Sequence, residues 1–161
     1  MKRVTQHVYW FLLPIVALVI VDEWLKALSL ERLPAEGSLV DPGLIALAIH
    51  KNYGIAFDIP FKLEIVILIS VFIGIGLIQV AYKHWRDKPA IAFSALMIVI
   101  GALGNLYDRI VYDFTVDYII LFGTSAINLS DLVIVGGAIL LLLTSREKKV
   151  RRKKVDTSSD A

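Results

Sequence analysis

The sequence predicts an all-α membrane protein: four transmembrane helices with a small β-rich outer-surface domain in the first outer loop. Three observations carry this prediction. Hydrophobic residues make up 57% of the 161 positions and the mean hydropathy is +0.71, too apolar for an ordinary soluble fold of this length. Long apolar runs at 8–21, 65–81, 90–106 and 132–143 are separated by charged stretches, the pattern of membrane-crossing helices. The cations sit in alternate connections. Lys2 and Arg3 precede the first run, Lys83, Arg86 and Lys88 fill the second connection, and Arg146, Lys148, Lys149, Arg151, Arg152, Lys153 and Lys154 crowd the tail.

Short loops rich in Lys and Arg stay on the cytoplasmic side. Both termini are therefore expected to be cytoplasmic, with the first and third connections outside. Spans are expected at about 8–28, 65–81, 90–107 and 126–144, together forming one domain over 1–145, followed by a basic cytoplasmic tail at 146–161. The first run resembles a signal peptide, but no A-x-A cleavage site follows it, and a retained helix is expected. The fourth run needs Asp131 to reach spanning length: extended back to Ala126 it holds about 18 residues, near what a hydrocarbon core requires. The polybasic tail suits anionic lipid beside the last helix better than nucleic acid, and its last residues, VDTSSDA, read as a frayed end.

The first outer loop, about 31–62, contains Pro34, Pro42 and Pro60. Within it Leu44 to Ile49 is apolar and strand-compatible, and Lys51, Asn52, Tyr53 and Gly54 interrupt before Ile55, Ala56 and Phe57. A short strand or hairpin is expected there, with Gly54 at a close approach or a positive φ. The run Val116 to Phe122 in the third connection is expected to dip back into the membrane interface.

Cysteine is absent, which excludes disulfides, thiol nucleophiles and thiolate metal sites. His7, His50 and His84 are dispersed, and no H-E-x-x-H, G-x-S-x-G or phosphate loop occurs. The remaining candidates for chemistry are carboxylates. Asp22, Asp108, Asp117 and Asp131 all fall on the outer side of the predicted topology.

Each has a structural reading as well. Asp22 and Lys26 have the i, i+4 spacing and order of a helical ion pair, with Glu23 turned toward water. Asn128 suits the N-cap of the fourth helix, and Asp131 its first turn. A similar Asn-x-x-Asp, Asn105 to Asp108, ends the third helix, where an anion meets the unfavourable end of the dipole. Arg109 is expected to neutralise Asp108. Asp117 has no sequence-adjacent cation. Two aspartates held close share one proton, so that one activates water while the other polarises a carbonyl.

These residues resemble the lipoprotein signal peptidases (signal peptidase II, aspartic peptidase family A8), bacterial cytoplasmic-membrane proteases with four transmembrane helices. Five motifs carry the resemblance, in order, from Asp22 to Ile134. Asp22-Glu-Trp-Leu-Lys26 fits D-x-x-x-K, and Asn52-Tyr-Gly54-Ile-Ala56-Phe57 fits N-x-G-x-A-F. Gly101-Ala-Leu-Gly104-Asn105-Leu-Tyr-Asp108-Arg109 fits G-x-x-G-N-x-x-D-R. Val116-Asp117-Tyr118-Ile119 is similar to V-D-F-I, and Asn128-Leu-Ser-Asp131 to N-x-A-D.

The resemblance implies that Asp117 and Asp131 form the catalytic dyad. It implies supporting roles for Asn105, Asp108, Arg109 and Asn128, and roles for Asp22, Lys26, Asn52 and Gly54 in shaping or contacting the substrate site. The implied reaction cuts the signal peptide of a diacylglyceryl-modified prolipoprotein N-terminal to the lipidated cysteine, without metal or organic cofactor. Prolipoproteins and membrane lipid are the expected partners, nucleic acid is not, and the bacterial cytoplasmic membrane is the expected location, with the site toward its outer face.

The chain departs from the family pattern at Ile100, a usual glycine, at Tyr118, a common phenylalanine, and at Ile127 and Ser130, which replace phenylalanine and alanine. Ser130 puts a hydroxyl beside Asp131, where it is expected to donate to that carboxylate. These departures motivate an alternative, a catalytically inactive binding module or chaperone for lipoproteins. A proton-coupled carrier would use the same acids as a relay, but the spans offer little polar path between the two faces.

Overall fold

The computed structural model describes residues 8–35, 43–54 and 61–156, with side chains as far as Ser145. Lys2, Arg3, Pro42, Ile55, Ala56, Phe57, Pro60 and the end from Thr157 lie outside the described residues, as do the side chains of the tail cations. The fold is mostly helical, with one small sheet. A 3-10 turn, Val8–Phe11, leads into α1 (Leu12–Arg32); β1 (Ile45–Asn52), α2 (Leu63–His84), α3 (Pro89–Tyr112), β2 (Thr115–Leu121), β3 (Ser125–Ile127) and α4 (Leu129–Asp156) follow.

Local chemistry explains the boundaries. Pro14 falls in the first turn of α1, where its missing N–H has no partner to lose. At the other end Leu33 is extended, φ −92° and ψ 147°, as a residue before proline prefers, and its N–H closes on Ser29 O at 2.9 Å. Pro89 opens α3 from the first turn. That helix stops at Asp113, which takes the left-handed conformation with φ 67°, one that aspartate tolerates better than most residues.

Among the described residues three helices are long and apolar enough to cross a membrane: Val8–Arg32, Leu63–His84 and Pro89–Tyr112. The apolar part of α4, Leu129–Ser145, is shorter. Large apolar side chains stay exposed along these helices, among them Ile20, Phe72, Ile73, Ile110 and Leu142, as expected of surfaces bathed in lipid rather than water.

Helix α3 is the hub. Against α2 it packs small residues, Ala92 and Ala95 on Ala81, closed off by Tyr9. Tyr9 also stacks on Trp85, ring centroids 3.9 Å apart, and its hydroxyl donates to Trp85 O at 2.6 Å. Against α4 it packs through glycine. A Cβ at Gly101 would lie 2.9 Å from both Ser130 O and Ile134 Cγ1, so only glycine permits this helix spacing.

The sheet differs from the sequence expectation in its makeup. It is not confined to the first long connection: β1 from that segment pairs antiparallel with β2 and β3 from the connection between α3 and α4, in the order β1-β2-β3. The run 116–122 is mostly the central strand of this sheet. A lone β1 would leave its backbone donors and acceptors unpaired, and β2 meets that need. The apolar character of β2 follows from its central place, with Thr115 to Tyr118 all buried. The register sets His50 opposite Asp117 and Asn52 opposite Thr115, with an irregularity between Leu47 and His50.

Candidate active site

All ten candidate residues singled out from the sequence, nine through polar side chains and Gly54 through its backbone, meet in one hydrogen-bonded network, where β2 and the start of α4 lie against α1 and α3. Asn128 is its crossing point. As N-cap of α4 it accepts the Asp131 N–H on Oδ1 at 2.9 Å, and its own N–H donates to Asp131 Oδ2 at 3.2 Å, a reciprocal capping box. Its free amide donors then reach Asp117 Oδ1 at 2.6 Å and Asn105 Oδ1 at 3.2 Å. One asparagine therefore touches both aspartates.

Further amides fix the outer oxygens of each carboxylate. Asn105 Nδ2 donates to Asp131 Oδ1 at 2.7 Å, and Asn52 Nδ2 to Asp117 Oδ2 at 3.1 Å. Asn52 is held in turn by the Gly54 N–H on its Oδ1 at 3.0 Å, and Gly54 O accepts from Arg109 Nη2 at 2.9 Å. Asp117 is buried, at 1% exposure, whereas Asp131 is partly open. Burial and then the Asp131 charge push the Asp117 carboxyl up to about 7, against the opposing pull of the Asn52 and Asn128 donors and of His50.

Beneath the pair lies a second charged cluster. Lys26 Nζ stands 3.1 Å from Asp22 Oδ2, 2.9 Å from Glu23 Oε1 and 2.9 Å from Asp108 Oδ2, and 3.3 Å from Asn105 Oδ1. Two expectations are corrected here. The partner of Asp108 is Lys26 rather than Arg109, because adjacent helical residues point about 100° apart; Arg109 turns instead to Gly54 O and to Asn105 O, the latter at 3.1 Å. Glu23 does not simply face water: its side chain is only 23% exposed and pairs with Lys26. The Asp22–Lys26 ion pair forms as expected, with both side chains fully buried.

Sequence reasoning missed what holds Asp22. Its Oδ1 accepts from Tyr118 Oη at 2.8 Å and from the Leu129 N–H at 2.9 Å. Its Oδ2 accepts from the Ser130 N–H at 3.1 Å and from Ser130 Oγ at 2.6 Å. The Ser130 hydroxyl therefore donates to Asp22 and not to Asp131, because Asp22 already occupies the N-terminus of α4, where its charge suits the helix dipole. Burial, reinforced by Asp22, raises the Tyr118 hydroxyl above the usual phenol range, so it remains a donor. Tyr118 and Ser130 were the available signals, as two hydroxyls at positions where the family pattern carries none.

Apolar helices of membrane-crossing length that converge on a buried network of carboxylates and amides define a multi-pass membrane protein with a polar centre. The sequence model of the signal peptidase (SPase) II family matches residues 14–146, and the chain belongs to that family. The lipoprotein signal peptidase of Halothermothrix orenii is 30% identical over 139 residues, covering 84% of this chain and 95% of the relative. That of Syntrophomonas wolfei is 36% identical over 137 residues, covering 82% and 88%. The fold is shared with a solved bacterial membrane enzyme determined by the in meso method at 2.3 Å resolution, with a TM-score of 0.72 at 23% identity over 86% of this chain and 88% of that one.

Proposed function

We propose that this protein is an aspartic endopeptidase of the bacterial cytoplasmic membrane that removes the signal peptide of diacylglyceryl-modified prolipoproteins, cutting N-terminal to the lipidated cysteine. Asp117 and Asp131 carry the hydrolysis. The observation that supports this most is Asn128, whose side-chain amide and backbone N–H hold one oxygen of each carboxylate. Close carboxylates retain one proton between them. The ionised member takes a proton from water as its oxygen attacks the scissile carbonyl carbon. The protonated member donates to the carbonyl oxygen, and the C–N bond then breaks with proton return to the leaving amine.

The other residues divide by their surroundings. Asn105, Asn128 and Asn52 orient the dyad, Arg109 holds Gly54 and so the Asn52 loop, and Asp22, Lys26 and Asp108 shape the site from below rather than touching substrate. Four spans with both termini cytoplasmic would put this centre toward the outer face, where the substrate's lipid stays in the bilayer while its scissile bond reaches the carboxylates. Membrane lipid is accordingly a standing partner. Incubation of purified protein in detergent with a lipid-modified prolipoprotein, followed by the gel mobility shift, tests the proposal. Cleavage by wild type and none by Asp117→Asn or Asp131→Asn is expected.

A further inference from the structure

The two carboxylates of the proposed dyad sit on different elements, Asp117 on β2 and Asp131 in the first turn of α4. Their separation is therefore a tertiary property, and something must set it. The residue after Asp117 and the residue before Asp131 both end on the same carboxylate. Tyr118 Oη lies 2.8 Å from Asp22 Oδ1 and Ser130 Oγ 2.6 Å from Asp22 Oδ2.

Successive strand side chains point to opposite faces, so Tyr118 grips the back of the strand whose front presents Asp117. Ser130 likewise grips α4 one position from Asp131. Asp22, Ser130 and Tyr118 are buried at 0%, 0% and 5% exposure, and a hydrogen bond to a buried charge is short and strong. Helix α4 is pinned twice more by the Leu129 and Ser130 N–H groups on the same carboxylate. Lys26 Nζ pairs with the same carboxylate from the other side, 3.1 Å from Asp22 Oδ2. The space for the serine hydroxyl comes from Gly104, where a Cβ would fall 2.7 Å from Ser130 Oγ.

We propose that Asp22, gripped by the hydroxyls of Tyr118 and Ser130, is a strap that sets the spacing of the two catalytic aspartates, making Tyr118 and Ser130 positioning residues for peptide hydrolysis. The inference rests on the dyad reading above. Neither hydroxyl bonds to Asp117 or Asp131. Each acts on the backbone segment that carries one of them.

The test is steady-state cleavage of a lipid-modified prolipoprotein by the full chain in detergent, with wild type, Tyr118→Phe, Ser130→Ala and the double variant. Thermal unfolding is measured alongside, at an assay temperature where all are folded. Because misplacing catalytic groups by about 1 Å can cost about 100-fold, each single variant is expected to lose roughly 5- to 50-fold in kcat while KM stays within about twofold. The two hydroxyls serve one spacing, so the double variant is expected within about threefold of the weaker single, far short of the product.

Wild-type kcat in either folded single variant overturns the strap, as does a rise in KM with kcat retained, or a double loss equal to the product of the singles. A variant too unstable to assay assigns the hydroxyls to folding and overturns it as well. Asp117→Asn and Asp131→Asn run in parallel separate the two claims. If either cleaves, the dyad reading fails; if both are dead while Tyr118→Phe and Ser130→Ala turn over normally, only the strap fails.

Discussion

Asn128 Nδ2 lies 2.6 Å from Asp117 Oδ1, and the same residue caps the helix that presents Asp131. A capping asparagine and an orienting asparagine are thus one residue. Replacing Asn128 by alanine is expected to cost about 0.5–2 kcal/mol of stability, the usual value of an N-cap, and to lower kcat by about 100-fold, as losing a fixed polar partner in an active site does. Thermal unfolding and cleavage kinetics on one preparation check both. A stable variant with full turnover would remove Asn128 from the site.

The raised carboxyl of Asp117 makes a signed prediction for pH. The proton that the dyad needs is held below about 7 and lost above it, so kcat/KM is expected to fall as pH rises through about 7. Folding follows the same sign. A group whose folded pKa lies above its unfolded value stabilises the native state fully at low pH, and that contribution is lost as pH rises through the folded value. The melting temperature of Asp117→Asn relative to wild type is therefore expected to climb between about pH 4 and pH 7 and then level off. A pH-independent difference would contradict this.

Among the described residues Lys26 is the single ammonium set between Asp22, Glu23 and Asp108. Lys26→Met keeps much of the side-chain volume and strands two fully buried carboxylates, so a loss of about 3–5 kcal/mol is expected, the scale for breaking a buried pair from one side. Glu23→Gln leaves the two buried pairs intact and is expected to cost less than about 1 kcal/mol, as partly exposed pairs do. Unfolding in detergent ranks the two variants. The reverse order would place the weight of the cluster on Glu23.

Gly101 sets the distance between α3 and α4. Gly101→Ala puts a methyl group where the Ser130 carbonyl and Ile134 already are, and overpacking of this kind costs about 1–3 kcal/mol. Because α4 begins with the dyad segment, turnover is expected to fall together with stability. Unfolding midpoint and kcat in one variant measure both.

The helices were legible because membrane-crossing segments must be long and apolar, and their ends carry Pro14, Pro34, Pro89 and Asn128 as local signals. The residues of the polar network could be singled out as residue types at fixed spacings within single elements, down to the i, i+4 pair of Asp22 and Lys26. What could not be read was pairing across elements. The strand at 116–121 shows no period-two alternation because, as a central strand, it is buried on both faces. Lys26 and Asp108 are 82 positions apart and Ser130 and Asp22 108 apart, so no local spacing reveals that these pairs meet. Arg109 beside Asp108 in sequence suggested the wrong partner for the reason that neighbours along a helix diverge.

Everything proposed for the chemistry rests on the two aspartates that Asn128 joins. The most direct measurement is cleavage of a lipid-modified prolipoprotein by folded wild-type, Asp117→Asn and Asp131→Asn proteins side by side, since each substitution keeps size and removes only the titratable group. Complete processing by wild type and a loss of at least about 1,000-fold in both variants is the predicted result, the scale seen when an essential acid or base is removed. Full processing by either asparagine variant would contradict the dyad.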